Sequence, residues 1–297
     1  MRSDSNDEMT ARVVDRTPAI SCRSHSQPVA CHRGMKRMIW LIVTSGIWVT
    51  GCTTLGPMPT TTGIAAVPSG RTGVEAQAGV VPGYFLSQAT QEPTHRGDPI
   101  GQVVGLVEPD QWLGTRGLVL GARRWGDHGD GAIEPFLGYR HRLDDNLSIA
   151  LFGYGTRMHG TETSASYRAT RIGGELAVDA RMIALTRWLA LHGQAAVSTM
   201  YLDAHGTYCA GNDGLGVDCN QDGTSRMVDG SIRSVFTAAT ASLALDFGRL
   251  PDGVFHSLRI ALLGSAGVMP QVRDGKETDG ARYTSIGLTL TLGFGAR

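Results

Sequence analysis

Glu175, Asp179, His192 and Ser198 are the residue types of a nucleophilic hydrolase. Such a site needs a serine to attack, a histidine to take its proton and a carboxylate to orient the histidine. His192 and Ser198 share one parity of an alternating run, and Glu175 and Asp179 share one parity of the run before it. The same four residues fit an ion-paired polar face equally well. No Gly-x-Ser-x-Gly turn is present to strain and expose a serine, so the expectation is a protein without catalysis. Cys209 and Cys219 lie ten positions apart. In an exported chain that spacing predicts a disulfide closing a loop, which stabilises by roughly 2 to 3 kcal/mol in the loop-entropy account. The histidines of the body, among them His128, His141 and His159, are too scattered for a zinc site. Gly153-Tyr154-Gly155 lacks the strand-then-helix setting of a phosphate loop.

A second constellation overlaps the cysteines. Asp218, Asn220, Asp222, Gly223 and Asp229 occupy positions one, three, five, six and twelve of a stretch that resembles the calcium loop of EF-hand proteins. The resemblance implies oxygen ligands from Asp218, Asn220, Asp222 and Asp229. It departs from that family in having Asp at position twelve, Ser225 at position eight and no flanking helical pattern. Asp, Asn and Gly are also what an exposed turn uses. The expectation is a plain exposed loop and no cofactor, with calcium at these residues as the alternative.

The elements that must carry these residues follow from composition and periodicity. The chain has 297 residues, 27 basic and 27 acidic, with 40 glycines, 41% hydrophobic and 18% charged. It can bury a core, and its zero net charge gives no electrostatic footprint for nucleic acid. No apolar run reaches the 18 residues of a spanning helix. Residues 1 to 34 are polar and without period. Met35-Lys36-Arg37 then precedes the apolar stretch Met38 to Thr50, which has the length of a signal-peptide core. It ends Val49-Thr50-Gly51-Cys52, which resembles the lipobox of bacterial lipoproteins. That resemblance implies lipidation of Cys52, and the non-acidic Thr53 after it implies transport to the outer membrane. The expected organisation is a leader and signal peptide over 1–51, a flexible tether over 52–73 (small, polar and rich in Pro and Gly), and a β-barrel over 74–297 with core strands from 117.

From Gly117 the chain alternates with period two. Eight runs are counted, near 117–126, 133–143, 147–160, 167–182, 187–204, 231–247, 257–270 and 283–294. In the last, Thr284, Ile286, Leu288, Leu290, Leu292 and Phe294 oppose Tyr283, Ser285, Gly287, Thr289, Thr291 and Gly293. Tight connections at Asp144-Asp145-Asn146 and Ala184 to Arg187 alternate with longer polar ones at His159 to Ser166, Gly206 to Gly230 and Gln271 to Gly280. Residues 74–85 and 101–107 form a further pair of β-prone stretches, interrupted at Pro82. Every strand of a membrane barrel must find two neighbours, so the expected count is even, eight to ten, with ten preferred.

The fold class is therefore all-β, an antiparallel up-and-down barrel that resembles the OmpA-type family of small outer-membrane barrels. An even count leaves both ends of the barrel at the short turns, in agreement with a lipid anchor in the inner leaflet of the outer membrane. Phe294 near the C-terminus resembles the signal read by the barrel-assembly machinery. Charges on the polar parity, Arg123, Glu134, Arg140, Arg171, Glu175, Asp179, Arg181, Asp246 and Arg259, together with His192, are expected to form a paired network in the lumen. Trp125, Tyr139, Tyr154, Trp188, Tyr201 and Phe247 are candidates for interfacial girdles. The reading is a lipid-anchored outer-membrane barrel with its loops at the cell surface, structural or adhesive in role, whose partners are outer-membrane lipid and an unnamed surface partner. The alternatives are an outer-membrane lipid hydrolase and a soluble periplasmic lipoprotein barrel holding an apolar ligand.

Overall fold

The computed structural model describes residues 57–68, 73–85, 94–97, 99–109, 114, 116–126, 132–162, 165–210, 226–248, 255–273 and 276–295. The leader and signal segment, Cys52, Asp218, Cys219, Asn220 and Asp222 lie outside them. Ten antiparallel strands make the barrel: β2 (Gly73–Val81), β5 (Ile100–Glu108), β6 (Leu118–Trp125), β7 (Ala132–Arg142), β8 (Leu147–Glu162), β9 (Ala165–Ala184), β10 (Leu189–Ala210), β11 (Arg226–Gly248), β12 (Phe255–Arg273) and β13 (Lys276–Gly295). Each pairs with the next in sequence around the ring, and β13 closes it on β2 with Phe294 opposite Val74. Three short strands complete the fold. β1 (Pro57–Pro59) pairs with β3 (Gly83–Phe85), and β4 (Thr94–Arg96) runs parallel to β13 at Arg282 to Thr284, above the point where β2 ends.

Strand ends follow local chemistry. Between β7 and β8, Asp144 Oδ1 accepts from the amides of Asn146 at 2.7 Å and Leu147 at 2.8 Å, an Asx turn that reverses the chain in four residues. Between β9 and β10, Thr186 Oγ1 accepts from Trp188 and Leu189 in the same manner. At Pro82, which lacks an amide hydrogen, β2 stops and the chain turns into β3. Gly79 lies on the closing seam at φ 155°, where a β-carbon would come within 2.2 Å of the Leu288 carbonyl oxygen. Only glycine lets β2 and β13 approach there.

The two parities separate cleanly. Outward positions carry Leu137, Leu151, Leu176, Val197, Leu262, Ile286 and Leu288, all exposed, with Ile286 at 70%. Leu151, Leu176 and Val197 are register partners on successive strands, so the aliphatic residues form a band rather than scattered spots. Inward positions carry the charged set, small residues and a buried apolar cluster that includes Val104, Leu106, Phe136, Phe152, Met200 and Phe236. β2, β5 and β6 have eight or nine residues and β7 eleven, whereas β8 to β13 have 16 to 23. Nine residues at a tilt of roughly 40° rise about 23 Å, close to the height of the band.

Strands β8 to β13 run past the expected ends. His159 to Ser166, expected as a connection, is strand over its described residues, 159–162 and 165–166, and the 271–280 stretch is strand over 271–273 and 276–280. Pairing persists there beyond the outward aliphatic residues: Arg157, Thr170, Asp203 and Arg233 form one outward row, and His159, Arg168, His205 and Ser231 the next. The parities exchange character there: the outward rows are polar, while Met158, Tyr167, Leu202, Ala204 and Ile232 are buried inward.

The stretch expected as a tether has a different role over the described part. Residues 57–68 run inside the barrel, with Met58, Thr60, Thr61, Thr62, Ile64 and Ala66 buried. The inward side chains of the barrel bond its backbone.

A charged and occupied lumen as the candidate functional site

Four layers of polar contacts cross the lumen. At the long-connection end, Arg123 on β6 is ion-paired with Glu134 on β7, its register partner. Arg171 on β9 reaches the other oxygen of Glu134 at 3.6 Å. Both guanidinium groups lie over the Tyr154 ring, at 5.0 and 4.9 Å, and Arg171 also faces Trp125 at 5.7 Å. Below them Glu175 accepts from Ser198 Oγ at 2.9 Å. Asp179 comes next, with one carboxylate oxygen 2.6 Å from His192 Nδ1 and the other accepting from Arg259 Nη2 at 2.6 Å. Arg259 also approaches Asp246 at 3.8 Å. Nearest the short turns, Arg140 donates to both oxygens of Glu75, at 2.8 and 3.2 Å, and to Glu108 at 2.9 Å. Buried charges persist only when paired and bonded in this way.

The segment 60–68 lies among these layers. Thr60 donates from its amide to the Pro82 carbonyl at 3.0 Å. Arg123 Nη1 donates to the Thr61 carbonyl at 2.6 Å. Glu175 accepts from the Thr62 amide at 2.8 Å and from its hydroxyl at 2.6 Å. Three glutamines then stand in for strand neighbours. Gln102 donates to the Thr62 carbonyl and Gln77 to that of Gly63. Gln194 both donates to Ile64 O at 3.0 Å and accepts from Ala66 N at 3.3 Å. A primary amide carries the donor and acceptor of a peptide group, so it can pair with an irregular backbone that would otherwise be costly to bury. Gly63 takes φ 66° here, and a β-carbon would press on Val81 and the Gln77 amide. The fit is close: beside Gly63 and Gln194 a gap of about 10 Å³ remains, at the lower limit for one water.

Of the residues picked out in sequence, Arg123, Glu134, Arg140, Arg171, Glu175, Asp179, His192 and Arg259 are buried in the lumen, and Asp246 lies beside Arg259. Arg181 faces His192 across a bulge between β9 and β10. Glu75, Gln77, Gln102, Glu108 and Gln194 were not selected. Their signal is the presence of amides and acids on the inward parity of β2, β5 and β10. Trp125 and Tyr154 are buried over guanidinium groups rather than in a girdle, because they share the inward parity. Tyr139, Trp188 and Tyr201 do face outward, and Trp188 stacks on Phe247 at 6.1 Å near the short turns.

His192 and Ser198 do not meet. They are six residues apart on one strand, roughly 20 Å, and each holds a different carboxylate. Above the aliphatic band an open concavity of about 770 Å³ is lined by His159, Arg168, His205, Asp229 and Ser231. There His205 Nε2 is 2.9 Å from Asp203, and Ser231 stands across from His205. The Arg233 guanidinium bonded to Asp203 holds that carboxyl below its usual range. Cys209 falls on β10 opposite Met227, and residues 226–229, the end of the candidate calcium loop, belong to β11, with Asp229 opposite Thr207. Among the described residues no group of three or more His, Cys, Asp or Glu is placed to hold a metal.

Fold and site together define a closed ten-stranded antiparallel barrel, aliphatic outside and charged inside, filled by its own chain. Compared with protein-family models and with curated proteins, the chain matches none.

Proposed function

We propose that this chain is a lipid-anchored β-barrel of a bacterial outer membrane, with a structural or surface-contact role rather than a catalytic one. The observation that carries the reading is the direction of the two parities. A barrel in water turns its aliphatic residues inward, whereas here Leu151, Leu176, Val197 and Ile286 face out while Arg140, Arg171 and Glu134 are buried inside. In lipid that arrangement is the favourable one. The lipobox-like Val49-Thr50-Gly51-Cys52 and the terminal Phe294 support export and handling by the barrel-assembly machinery. A lumen occupied by ion pairs and backbone leaves no apolar space for a ligand beside Gly63 and Gln194, which weighs against the soluble carrier. The surface work falls to the chain that joins the strands at the long-connection end, above all residues 211–225 between β10 and β11, which include Cys219.

The test is fractionation of a Cys52→Ser variant expressed with its signal peptide. The expected result is a body extracted only by detergent and showing a heat-modifiable gel shift. A body that appears in the soluble periplasm would overturn the membrane reading.

A further inference from the structure

The lumen segment has a direction, and that direction decides where the N-terminal lipid must lie. Met58 pairs with Tyr84, beyond the long-connection end of β2. Tyr84 in turn packs against Phe236 at 5.4 Å and Tyr283 at 5.5 Å. Thr60 bonds Pro82, and Thr62 bonds Glu175 and Gln102 lower down. Ile64 and Ala66 bond Gln194, lower again. Val67 O, 3.4 Å from Arg140 Nη1, has reached the layer formed with Glu75 and Glu108, which border the short turns. With increasing residue number the chain thus travels from the long-connection end to the short-turn end, and β2 then climbs back from Gly73. The barrel has an even number of strands, yet Pro57 and Gly295 stand at opposite ends of it.

We infer that the protein threads its own barrel, so that an acylated Cys52 is held in the outer leaflet at the cell surface while the C-terminus stays on the periplasmic side. This rests on the membrane and lipoprotein reading above. Cys52 is five residues before Pro57, a span of at most about 18 Å. The opposite leaflet is across about 30 Å of hydrocarbon, and the route back through the lumen is filled by residues 60–68. The acyl chains therefore enter the leaflet at the long-connection end. The expectation of an inner-leaflet anchor, drawn from strand parity alone, is replaced by its opposite. The same segment seals the lumen against ions.

The test places an epitope tag in the full-length lipoprotein at one of three positions: between Thr54 and Leu55, within 211–225, or after Arg297. Antibody binding to intact cells is compared with binding to permeabilised cells, and the heat-modifiable shift is required of every variant as proof of folding. Threading predicts that the first two tags are detected on intact cells at comparable levels and the third only after permeabilisation. Detection of the 211–225 tag on intact cells, with the 54/55 tag hidden until permeabilisation, would overturn threading and leave the membrane barrel standing. If the 211–225 tag is hidden as well and the body extracts without detergent, the membrane reading fails and the inference fails with it. A second measurement uses planar bilayers: the intact protein should be silent, and a variant lacking residues 57–67 that keeps its gel shift should conduct. A silent deletion variant would remove the seal from the proposal.

Discussion

Replacing Arg140 with methionine removes a cation that bonds both Glu75 and Glu108. Arg140 makes three hydrogen bonds to these carboxylates, at 2.8, 2.9 and 3.2 Å, with its own side chain fully buried and Glu108 nearly so. Breaking a buried pair by deleting one partner typically costs about 3 to 5 kcal/mol, because the charge left behind is neither solvated nor paired. Two carboxylates lose their bonds to Arg140 here. The layer lies at the short-turn end, however, where the Glu75 side chain keeps 11% of its accessibility, so water can relieve part of the cost. The expected loss is about 3 kcal/mol, read as the urea dependence of tryptophan fluorescence for protein refolded into lipid vesicles. The triple variant Arg140→Met, Glu75→Gln, Glu108→Gln should recover most of that loss, since neutral groups of similar volume carry no stranded charge. A single variant within 1 kcal/mol of the parent, or a triple variant less stable than the single one, would refute the account of the lumen as a mutually dependent charge network.

Leu176→Arg, on the outer band, should cost about 2 to 4 kcal/mol in vesicles. A change within 0.5 kcal/mol, usual for a solvated surface site, would show that water covers that face. Asp203 lies outside the aliphatic band, and its depressed carboxyl contributes stability above its unfolded value near about 3.9, lost as pH falls through the lower folded one. Its NMR titration midpoint should lie below about 3.9 and rise toward it in 1 M salt; a midpoint at or above that value, or one insensitive to salt, rejects the Arg233 pairing. The purified protein should release no fatty acid from phospholipid vesicles. Release that is abolished by Ser231→Ala or His205→Ala would move catalysis to the outer face and end the non-enzymatic reading.

How far the sequence could be read depended on what each residue faces. Inside the band the exposed aliphatic residues hold one parity, and Ile172, Leu176 and Val178 against Arg171, Glu175 and Asp179 give strand, parity and part of the charge network. Above the band the outward row at His159, His205 and Ser231 is polar while Met158, Leu202 and Ile232 are buried inward, so alternation continues with its parity exchanged. Trp125 and Tyr154 could not be assigned by type, because an aromatic ring suits an interface and a buried cation equally well; parity places them. The lumen segment was the least legible part. Thr60-Thr61-Thr62-Gly63 has the composition of a linker, and its order comes from groups far away in sequence. Its trace lay in those groups: three inward glutamines, each on a different strand.

Strand number and threading are coupled by geometry. Barrel diameter grows with strand count, and eight strands give an interior that side chains alone just fill. Two more strands, β2 and β5, widen it beyond that, and the added space must hold water, a ligand or backbone. Here the inward faces of β12 and β13 include the small Ala261, Ser265, Ser285, Gly287 and Thr289 beside the larger Leu263 and Tyr283, and the lumen segment runs beside them, with Thr60 bonded to Ser265 at 3.2 Å. Larger inward residues on these two strands would expel the segment and leave the carboxylate of Glu175 without its two bonds from Thr62. The absence of large aliphatics on one face of β13, visible in the sequence as Tyr-x-Ser-x-Gly-x-Thr-x-Thr-x-Gly, thus has a structural cause: that face borders a second chain segment rather than open lumen.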